Sequence, residues 1–389
     1  MKPFSTKNIM LFVHAVILLA ISYLIALVLI LSAKSLSFLP VFDESGDVPM
    51  SNIYLKINSK KEQTRLNTNI TFVDIDLCKD RLEIAQLIEQ IDALQPKVIG
   101  LDVFFRNRKE PEIDTILENV LRKCENLTIA AILDAEQRHD NDKYNRCHHN
   151  FFVAQKDDNF TEGFINLDSD GSSAVQTFTP KLFLQKETSL DTLYCFAVQI
   201  VRLYDETAYQ KLLQRTKNFE IIHFQPFVFH TINKNEIADN GEYITDKIVL
   251  IGSLSEDRHK TPINTKMHGI EIHAQIISTI IEEKYIDRLD NIWTKLITAL
   301  LCYLFSIFCC FATIKFKKGV GFLIKLAQVA FLLLVFFAGY YLFNRYSIDI
   351  TYTRSMMVIG IMIMIVDVYY FGIAFGRKYM SKIKKRKKI

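Results

Sequence analysis

The sequence predicts an extracytoplasmic α/β domain with a mostly parallel sheet, attached to a membrane region of four helices. Three observations predict it. One long apolar segment lies near the N-terminus, β-rich runs alternate with amphipathic helical patterns in the central region, and three more apolar segments follow. Alternating strands and helices are typical of a parallel sheet with crossover helices. The order of the segments predicts a folded domain on one side of a membrane.

The apolar segments determine which residues lie in the membrane and which lie in water. Residues 10–31 contain no Asp, Glu, Lys or Arg, and a helix of this length, at about 1.5 Å per residue, crosses a hydrocarbon core of about 30 Å. A secretory signal peptide has a shorter apolar region, of about 7 to 15 residues, so we interpret this segment as a retained anchor. Three further transmembrane helices are predicted, at 292–314, 322–343 and 355–376.

Basic residues near the span ends predict the topology. The N-terminal segment 1–9 has two lysines, the connection between the second and third spans has three, and the tail 377–389 has eight basic residues and no acid. All lie on one face, and Lys and Arg mark the cytoplasmic face. Arg345, in the opposite short loop, is the contrary observation. We expect a multi-pass protein of the bacterial inner (cytoplasmic) membrane, with both termini cytoplasmic and residues 34–290 outside.

The charge distribution indicates lipid as the partner of the tail. The chain has a net charge of +4, from 47 basic and 43 acidic side chains. The eight basic residues of the tail exceed this value, so the rest of the chain is net acidic. Each Lys or Arg near anionic lipid gains about 1 kcal/mol. The outer domain lacks the basic, aromatic-interleaved pattern of nucleic-acid-binding surfaces, so we expect membrane lipid and no nucleic acid as a partner.

Four of the seven cysteines lie in the outer domain, namely Cys78, Cys124, Cys147 and Cys195. In an oxidising compartment they permit three disulfide pairings, which the sequence does not rank, and ordinary buried thiols are the alternative. Their spacing fits no zinc site.

Strand and helix patterns follow one another along the outer domain. The predicted strands are 70–75, 98–105, 127–133, 219–224 and 247–252, and the predicted helices are 81–94, 112–124, 190–204 and 269–283. The stretch between 134 and 189 is irregular. Within it, Asp168, Asp170 and Gly171 resemble the start of a calcium loop but lack its later acidic ligands, so we interpret them as a turn.

The last predicted strand and helix carry a family resemblance. The strand ends in Ile251-Gly252, then come Asp257 and Thr261-Pro262, and the helix starts with Gly269, followed by His273-Ala274. These motifs resemble the end of the type-two CHASE domain, the cyclase- and histidine-kinase-associated extracellular sensor. Val-Asp-Ile-Asp at 73–76 and Lys-Val-Ile-Gly-Leu-Asp-Val-Phe-Phe at 97–105 fit the same family, as does the layout of one span before the domain and three after it. The resemblance covers nearly the whole chain and implies a membrane-bound sensor.

The chain differs from the family pattern in two places. A Gly-Trp-Pro-Trp-Pro-Arg-like segment usually follows the first strand, whereas here residues 77–80 lead straight into a helix. Relatives commonly continue into a cyclase or kinase domain, whereas about 13 residues follow the last span here, too few for such a domain. We therefore expect no enzymatic activity, and a signal passed to a separate cytoplasmic or membrane protein in trans.

Aspartates at strand ends are the candidate ligand-binding residues of the outer domain. Asp74, Asp76, Asp102 and Asp134 lie at or near predicted strand ends, where ligands bind in open parallel sheets. With Asp257, they predict an acidic site that binds a hard cation such as calcium or magnesium, or shares a proton through a raised pKa. The alternative is that each caps a helix or anchors a turn. The sequence identifies no particular metal or cofactor.

His273 is the other candidate ligand residue. It lies on the apolar stripe of the predicted helix 269–283, so an ordinary buried histidine is the alternative. Ser253, Asp257 and His259 include the residue types of a hydrolase triad, but the Gly-x-Ser-x-Gly pattern of a nucleophile elbow is absent.

Three polar residues lie inside the predicted spans. Counted from the cytoplasmic ends, His14 and Gln328 are about 8 to 9 Å deep and Asp367 is about 15 Å deep. An ionisable group near mid-span costs at least a few kcal/mol unless it is paired or hydrated. We hypothesise that the three residues form one polar layer that couples sensor state to helix packing. The alternative is that Asp367 only hydrogen-bonds a neighbouring helix.

These observations predict an extracytoplasmic membrane sensor that signals to a separate cytoplasmic partner. A structural or assembly factor of the cell envelope, with the outer domain as a docking module, is the alternative from another class. A homodimer is compatible with both functions. Asp367 is interpreted as the only acid deep in the spans, which argues against a transporter.

Overall fold

The computed structural model describes residues 6–35, 50–134, 146–153, 161–167, 174–185, 190–255, 257–289, 291–315, 321–350 and 352–386. The chain divides into two compact units. The outer unit is Leu55–Ile286, and the membrane unit consists of Met1–Tyr54 and Asp287–Ile389.

Helices occur in both units. They are α1 (Thr6–Ser35), α2 (Met50–Lys61), α3 (Arg81–Ala93), α4 (Pro111–Lys123), α5 (Phe196–Tyr204), α6 (Glu206–Gln214), α7 (Gly269–Ile281), α8 (Asn291–Lys315), α9 (Gly321–Tyr346) and α10 (Thr353–Arg386), with a 3-10 helix at Ala238–Tyr243.

Most strands belong to the outer unit. They are β1 (Arg65–Asp74), β2 (Val98–Leu101), β3 (Leu127–Asp134), β4 (Arg146–His148), β5 (Thr161–Phe164), β6 (Thr177–Phe178), β7 (Lys181–Gln185), β8 (Leu190–Tyr194), β9 (Glu220–Ile221), β10 (Phe227–Asn233), β11 (Ile248–Gly252), β12 (Arg258–His259), β13 (Met267–His268), β14 (Asp287–Arg288) and β15 (Ile348–Asp349).

The central sheet of the outer unit is mostly parallel, as predicted. Its order is β10, β1, β11, β2, β3, and β3 also pairs with β5 and, antiparallel, with β4. Within this sheet, β11 comes last along the chain but lies between β1 and β2, because it pairs with β1 at Val73 and with β2 at Leu101. All five residues of β11 are buried, as expected for a strand covered on both faces.

Helices cover both faces of this sheet. Ile99 and Leu101 of β2 belong to the core cluster formed with α3 and α4. Because side chains alternate along a strand, Gly100 faces the other side, where a Cβ would lie 2.6 Å from Ile200 Cδ1 of α5. Gly252 of β11 faces α7 in the same way, since a Cβ there would lie 3.0 Å from Ile270 Cδ1.

The local sequence explains where α3 begins and ends. Asp80 is its N-cap, and its side chain accepts a hydrogen bond from the Glu83 amide at 2.9 Å, which satisfies an amide that the helix leaves open. The helix ends before Gln95, which has a positive φ of 54°, and Pro96 follows. The bounds differ from the prediction, 81–94, by one residue.

Two predicted elements of the outer unit are wrong in part. The segment 190–204 was predicted as one helix, but Leu190–Tyr194 forms β8, which pairs antiparallel with β7, and α5 starts only at Phe196. The strand predicted at 98–105 ends at Leu101. The turn predicted at Asp168, Asp170 and Gly171 lies outside the described residues.

The membrane unit contains four helices that are long and apolar enough to cross a membrane, within Ile9–Leu29, Ile292–Lys315, Lys325–Tyr346 and Ser355–Ser381. This makes the chain a multi-pass membrane protein. A buried cluster joins α1, α8 and α10, and Phe331 of α9 stacks on Phe305 of α8 at 4.9 Å between ring centroids. The last helix continues as far as Arg386, ten residues past the predicted end of the span at 376.

Candidate functional site

The candidate ligand site lies at the carboxyl ends of β1, β11 and β2 in the outer unit. The Ile75 amide donates to the Gly252 carbonyl at 3.2 Å, and the Asp102 amide donates to the Ile251 carbonyl at 2.8 Å. Residues that follow β1 and β2 therefore lie on either side of the end of β11. The structure brings together the predicted residues Asp74, Asp76, Asp102 and Asp257 at this edge of the sheet.

Asp76 is held by hydrogen bonds from the loop after β11. Burial acts to raise the pKa of this carboxyl, but hydrogen bonds from Ser253, Ser255 and the Leu254 amide together lower it. The Asp76 amide also donates to Asp74 Oδ1 at 3.0 Å. Asp76 is therefore an ionised, anchored carboxylate near neutral pH.

Asp102 is the carboxyl of this edge that lacks such an anchor. Within the described residues, no group hydrogen-bonds to its side chain. Burial raises its pKa to about 7, and the negative charge of Asp257 adds to the rise. The side chain packs against Gly252, where a Cβ would lie 3.3 Å from Asp102 Cβ. Asp102 is thus a partly buried carboxyl that gains or loses its proton near neutral pH.

Asp257 is anchored at the start of α7. Its carboxylate lies 2.8 Å from His259 Nε2, and a Cβ at Gly269 would lie 2.6 Å from its Oδ2. The neighbouring His259 side chain lowers the pKa of Asp257 against the opposing effect of burial. The N-terminus of α7 also favours negative charge. Asp257 has a left-handed φ of 52°.

His273 lies beneath this edge, within α7. The side chain is buried, with 2% of its surface exposed, and its ring meets Phe196 edge-on at 5.3 Å. Burial lowers its pKa to about 4, against a hydrogen bond to the Ile165 backbone and the charge of Asp257. Its Nδ1 has no hydrogen-bond partner in the part of the chain that the structure describes. At neutral pH this nitrogen is therefore a buried acceptor.

Asp134 does not join the cluster. It ends β3, which is separated from β11 by β2, and its Oδ2 lies 3.3 Å from His148 Nε2. Among the described residues, no group of three or more His, Cys, Asp or Glu side chains is arranged to hold a metal ion.

The three polar residues predicted to form one layer in the membrane lie in three separate contacts. His14 Nδ1 lies 2.8 Å from the Tyr369 hydroxyl, and Gln328 Nε2 donates to Cys309 Sγ at 3.1 Å. Asp367 Oδ2 lies 3.0 Å from Lys325 Nζ. Lys325 was not predicted as a partner of Asp367, although a charged residue one turn inside an apolar helix is visible in the sequence.

A second set of residues in the membrane unit was not predicted at all. Asp349 is fully buried, at 0% exposure, in the short strand between α9 and α10. It accepts hydrogen bonds from the amide and hydroxyl of Ser51, at 3.1 and 3.0 Å, and from Arg288 Nε at 3.3 Å. Backbone pairing also joins the two segments, because β14 pairs with β15 at Arg288 and Asp349. We call Ser51, Arg288 and Asp349 the junction.

Two tyrosines extend the junction. The hydroxyls of Tyr54 and Tyr352 hydrogen-bond to each other, and both reach the Phe336 carbonyl, at 3.4 and 3.5 Å. Both hydroxyls press against Gly339 of α9, where a Cβ would collide with them. The first turns of α2 are thereby held to α9 and to the residue before α10. A lone acid in the loop between two spans was the available signal.

Comparison with protein families assigns the chain. A family model of the CHASE2 domain matches residues 45–313, more than half of the 389 residues. Comparisons with curated proteins and with solved structures found no match. CHASE2 is a family of sensory domains, and the parallel-rich α/β outer unit with four membrane helices fits a membrane sensor. The chain therefore belongs to the CHASE2 domain family.

Proposed function

We propose that this protein is an inner-membrane sensor whose outer unit lies outside the cytoplasm, binds a small ligand and signals to a separate cytoplasmic protein. Membership of a sensory family and the four candidate spans support the proposal. The basic residues near the span ends support the orientation, because Lys and Arg concentrate on the cytoplasmic side. In this topology, the segments before α1 and after α10 are cytoplasmic.

The main observation in favour of a ligand site is the carboxyl of Asp102. Asp76 and Asp257, its neighbours at the same edge, are fixed by hydrogen bonds and charge. Asp102 has no such partner among the described residues, and a partly buried polar group without one is costly. A ligand that donates hydrogen bonds would remove this cost.

The chemistry of the edge selects the class of ligand. Two ionised carboxylates, Asp76 and Asp257, present negative charge and lone pairs together with Asp102. Because acceptors need donors, the ligand we propose is a small organic amine or another cation rich in N–H groups. No catalysis is required of this site, and we propose that the outer unit is not an enzyme.

The junction supports the second half of the proposal, which is transmission to the membrane helices. The chain enters the outer unit through α2 and leaves it directly before β14. Ser51 of α2 and Arg288 of β14 both bind Asp349, which lies between α9 and α10. A ligand shifts such a system only through its different affinity for the two states, and this junction would carry that shift to two spans.

A thermal-shift experiment tests the ligand site. The full-length protein in lipid nanodiscs would be heated with and without spermidine as an amine probe and with Ca²⁺ as a divalent probe. We expect spermidine, and not Ca²⁺, to raise the Tm of the wild type and to have little effect on Asp102→Asn. Asp134→Asn is the matched control, since that aspartate pairs with His148 outside the cluster. Equal responses of the two variants would contradict the proposed site.

Photocrosslinking tests the partner in trans. A photoreactive amino acid at Met380, an exposed position near the end of α10, is expected to capture a cytoplasmic protein in living cells. The same group at exposed Leu77 in the outer unit is the control. Capture of envelope proteins at Leu77, with only lipid captured at Met380, would favour the assembly-factor alternative.

A further inference from the structure

The ion pair between α9 and α10 is open on one side. Lys325 Nζ lies 3.0 Å from Asp367 Oδ2 and also donates to the Ile363 carbonyl. Even so, 64% of the Asp367 side chain is exposed. Asp367 lies near the middle of the candidate span Ser355–Ser381. Its uncovered oxygen therefore faces whatever surrounds the helices at that depth.

Lipid is a poor neighbour for this group. A charged side chain at mid-span costs at least a few kcal/mol even after snorkelling and local hydration. One lysine contact leaves most of the hydrogen-bonding capacity of the carboxylate unused, since a carboxylate accepts about four bonds. A protein surface that supplies a positive charge at the same depth would remove much of the cost.

The residues around Asp367 have the spacing of a helix-packing seam. Gly360, Met364, Asp367 and Phe371 follow one another at intervals of four, three and four residues, which is the heptad spacing of packed helices. Met364 is 77% and Phe371 is 72% exposed. A Cβ built at Gly360 meets no atom within 4 Å. A small residue on an open face lets a second helix approach closely.

We propose that a second copy of this chain packs against the α9–α10 face centred on Lys325 and Asp367. Charge complementarity identifies the occupant. Two copies in the same membrane orientation are related by a two-fold axis along the membrane normal, and such an interface is isologous. In the second copy, this axis reverses the order of α9 and α10 along the interface, so α9 of each copy lies opposite α10 of the other. Lys325 of each copy then faces Asp367 of the other, so four alternating charges form a closed network.

This interface is independent of the ligand proposed for the outer unit. It places α10 of each copy against α9 of the other, because Lys325 belongs to α9 and Asp367 to α10. The surface therefore predicts which positions approach each other across the dimer. Met364 of α10 and Val329 of α9, which is 44% exposed, each lie one helical turn from the ion pair and form such a pair of positions, whereas Val16 of α1, which is 53% exposed, lies on neither helix.

Disulfide crosslinking in intact membranes tests the interface. Full-length Met364→Cys and full-length Val329→Cys are produced together with different affinity tags and oxidised before solubilisation, and the mixed dimer is measured on a non-reducing gel against the wild-type chain with its own cysteines. We expect at least about a tenfold larger mixed-dimer fraction for this pair than for the matched pair Val16→Cys and Val329→Cys. Equal fractions, or crosslinks to a different protein, would overturn the proposal. This comparison leaves both charges in place, so it does not depend on a charge variant that fails to fold.

The charges are tested in the background of the Met364→Cys and Val329→Cys pair. We expect Asp367→Lys to reduce the dimer fraction about tenfold, which corresponds to about 1.4 kcal/mol. Exchange of both residues, Lys325→Asp with Asp367→Lys, keeps the alternating network and is expected to restore the dimer. A dimer that persists unchanged in Asp367→Lys would overturn the role assigned to the ion pair.

Discussion

Ser51 and Asp349 are 298 positions apart in the sequence, yet two hydrogen bonds join them inside the membrane unit, from the Ser51 amide and from its hydroxyl. Arg288 donates to the same carboxylate. One buried acid thus holds the helix through which the chain enters the outer unit and the strand through which it returns. Because both segments bind the same carboxylate, they move together as long as these hydrogen bonds are intact.

Loss of the Ser51 hydroxyl is expected to weaken the junction. Ser51→Ala removes one hydrogen bond to a buried carboxylate, for which we expect a loss of about 1 to 2 kcal/mol. Ser59→Ala is the matched control in the same helix, because the Ser59 hydroxyl is exposed and donates to the Lys56 carbonyl. Thermal unfolding of both variants in nanodiscs measures the difference. Equal Tm values would show that the Ser51 hydroxyl contributes nothing.

The Asp102 carboxyl is expected to make stability depend on pH. Its pKa in the folded protein, about 7, is higher than the ordinary value of 3.8. Between these values the folded chain binds more protons than the unfolded chain, so this group makes the protein less stable as pH rises from 4 to 7. Above pH 7 its contribution is constant.

The variant Asp102→Asn isolates this contribution from the histidines that titrate in the same range. The difference in Tm between variant and wild type is expected to grow in favour of the variant from pH 5 to pH 7.5. Anchored Asp76 is the control, because its lowered pKa places its titration below this range. A pH-independent difference for Asp102→Asn would mean that its carboxyl is ionised throughout.

Gly252 is expected to tolerate no larger residue. In Gly252→Ala the new Cβ would lie 3.0 Å from Ile270 Cδ1 and 3.3 Å from Asp102 Cβ. Overpacking of this kind costs about 1 to 3 kcal/mol. Gly241→Ala is the control, since its nearest neighbour, Leu94 Cδ2, lies at an ordinary 3.6 Å. Chemical denaturation measures the free energy of unfolding of both variants. An unchanged value for Gly252→Ala would show that the ends of β11 and α7 move apart at little cost.

The ion pair between Arg81 and Asp114 is expected to matter far more than an exposed pair. Its atoms are 2.6 Å apart, and the two side chains are only 10% and 3% exposed. Removal of one partner of a buried pair costs about 3 to 5 kcal/mol, so we expect a loss in this range for Asp114→Ala. Lys211→Ala is the comparison, because Lys211 and Glu283 form an exposed pair worth about 1 kcal/mol or less. Similar denaturation midpoints for Asp114→Ala and Lys211→Ala would contradict the larger contribution expected of the buried pair.

Local patterns were enough to predict the sheet and its crossover helices. The apolar run of β11 and the helical stripe of α3 are read from neighbouring residues, and the structure confirms both within a few positions. The aspartates at strand ends were predicted to meet, and β11 brings Asp76 and Asp102 to one edge. Their role in ligand binding stays a prediction.

Features that depend on distant pairing were not predictable in this way. Segment 190–194 was predicted as helix because its apolar residues suited one, but antiparallel pairing with β7 determines its strand conformation. Asp349 looked like an ordinary loop acid, since its partners Ser51 and Arg288 are far away in sequence. The contact between Lys325 and Asp367 likewise exists only once two helices pack.

The length of α10 has a mechanical consequence. Its 34 residues, at about 1.5 Å each, make a continuous rod of about 51 Å, whereas a hydrocarbon core is about 30 Å thick. In the proposed orientation, the surplus projects into the cytoplasm as a lever that carries Arg377 and the lysines after it. Because a helix is stiff along its axis, a twist or tilt applied beside Asp349 would move the basic end of α10 along the lipid surface. A cytoplasmic partner that binds this end would then respond to its position.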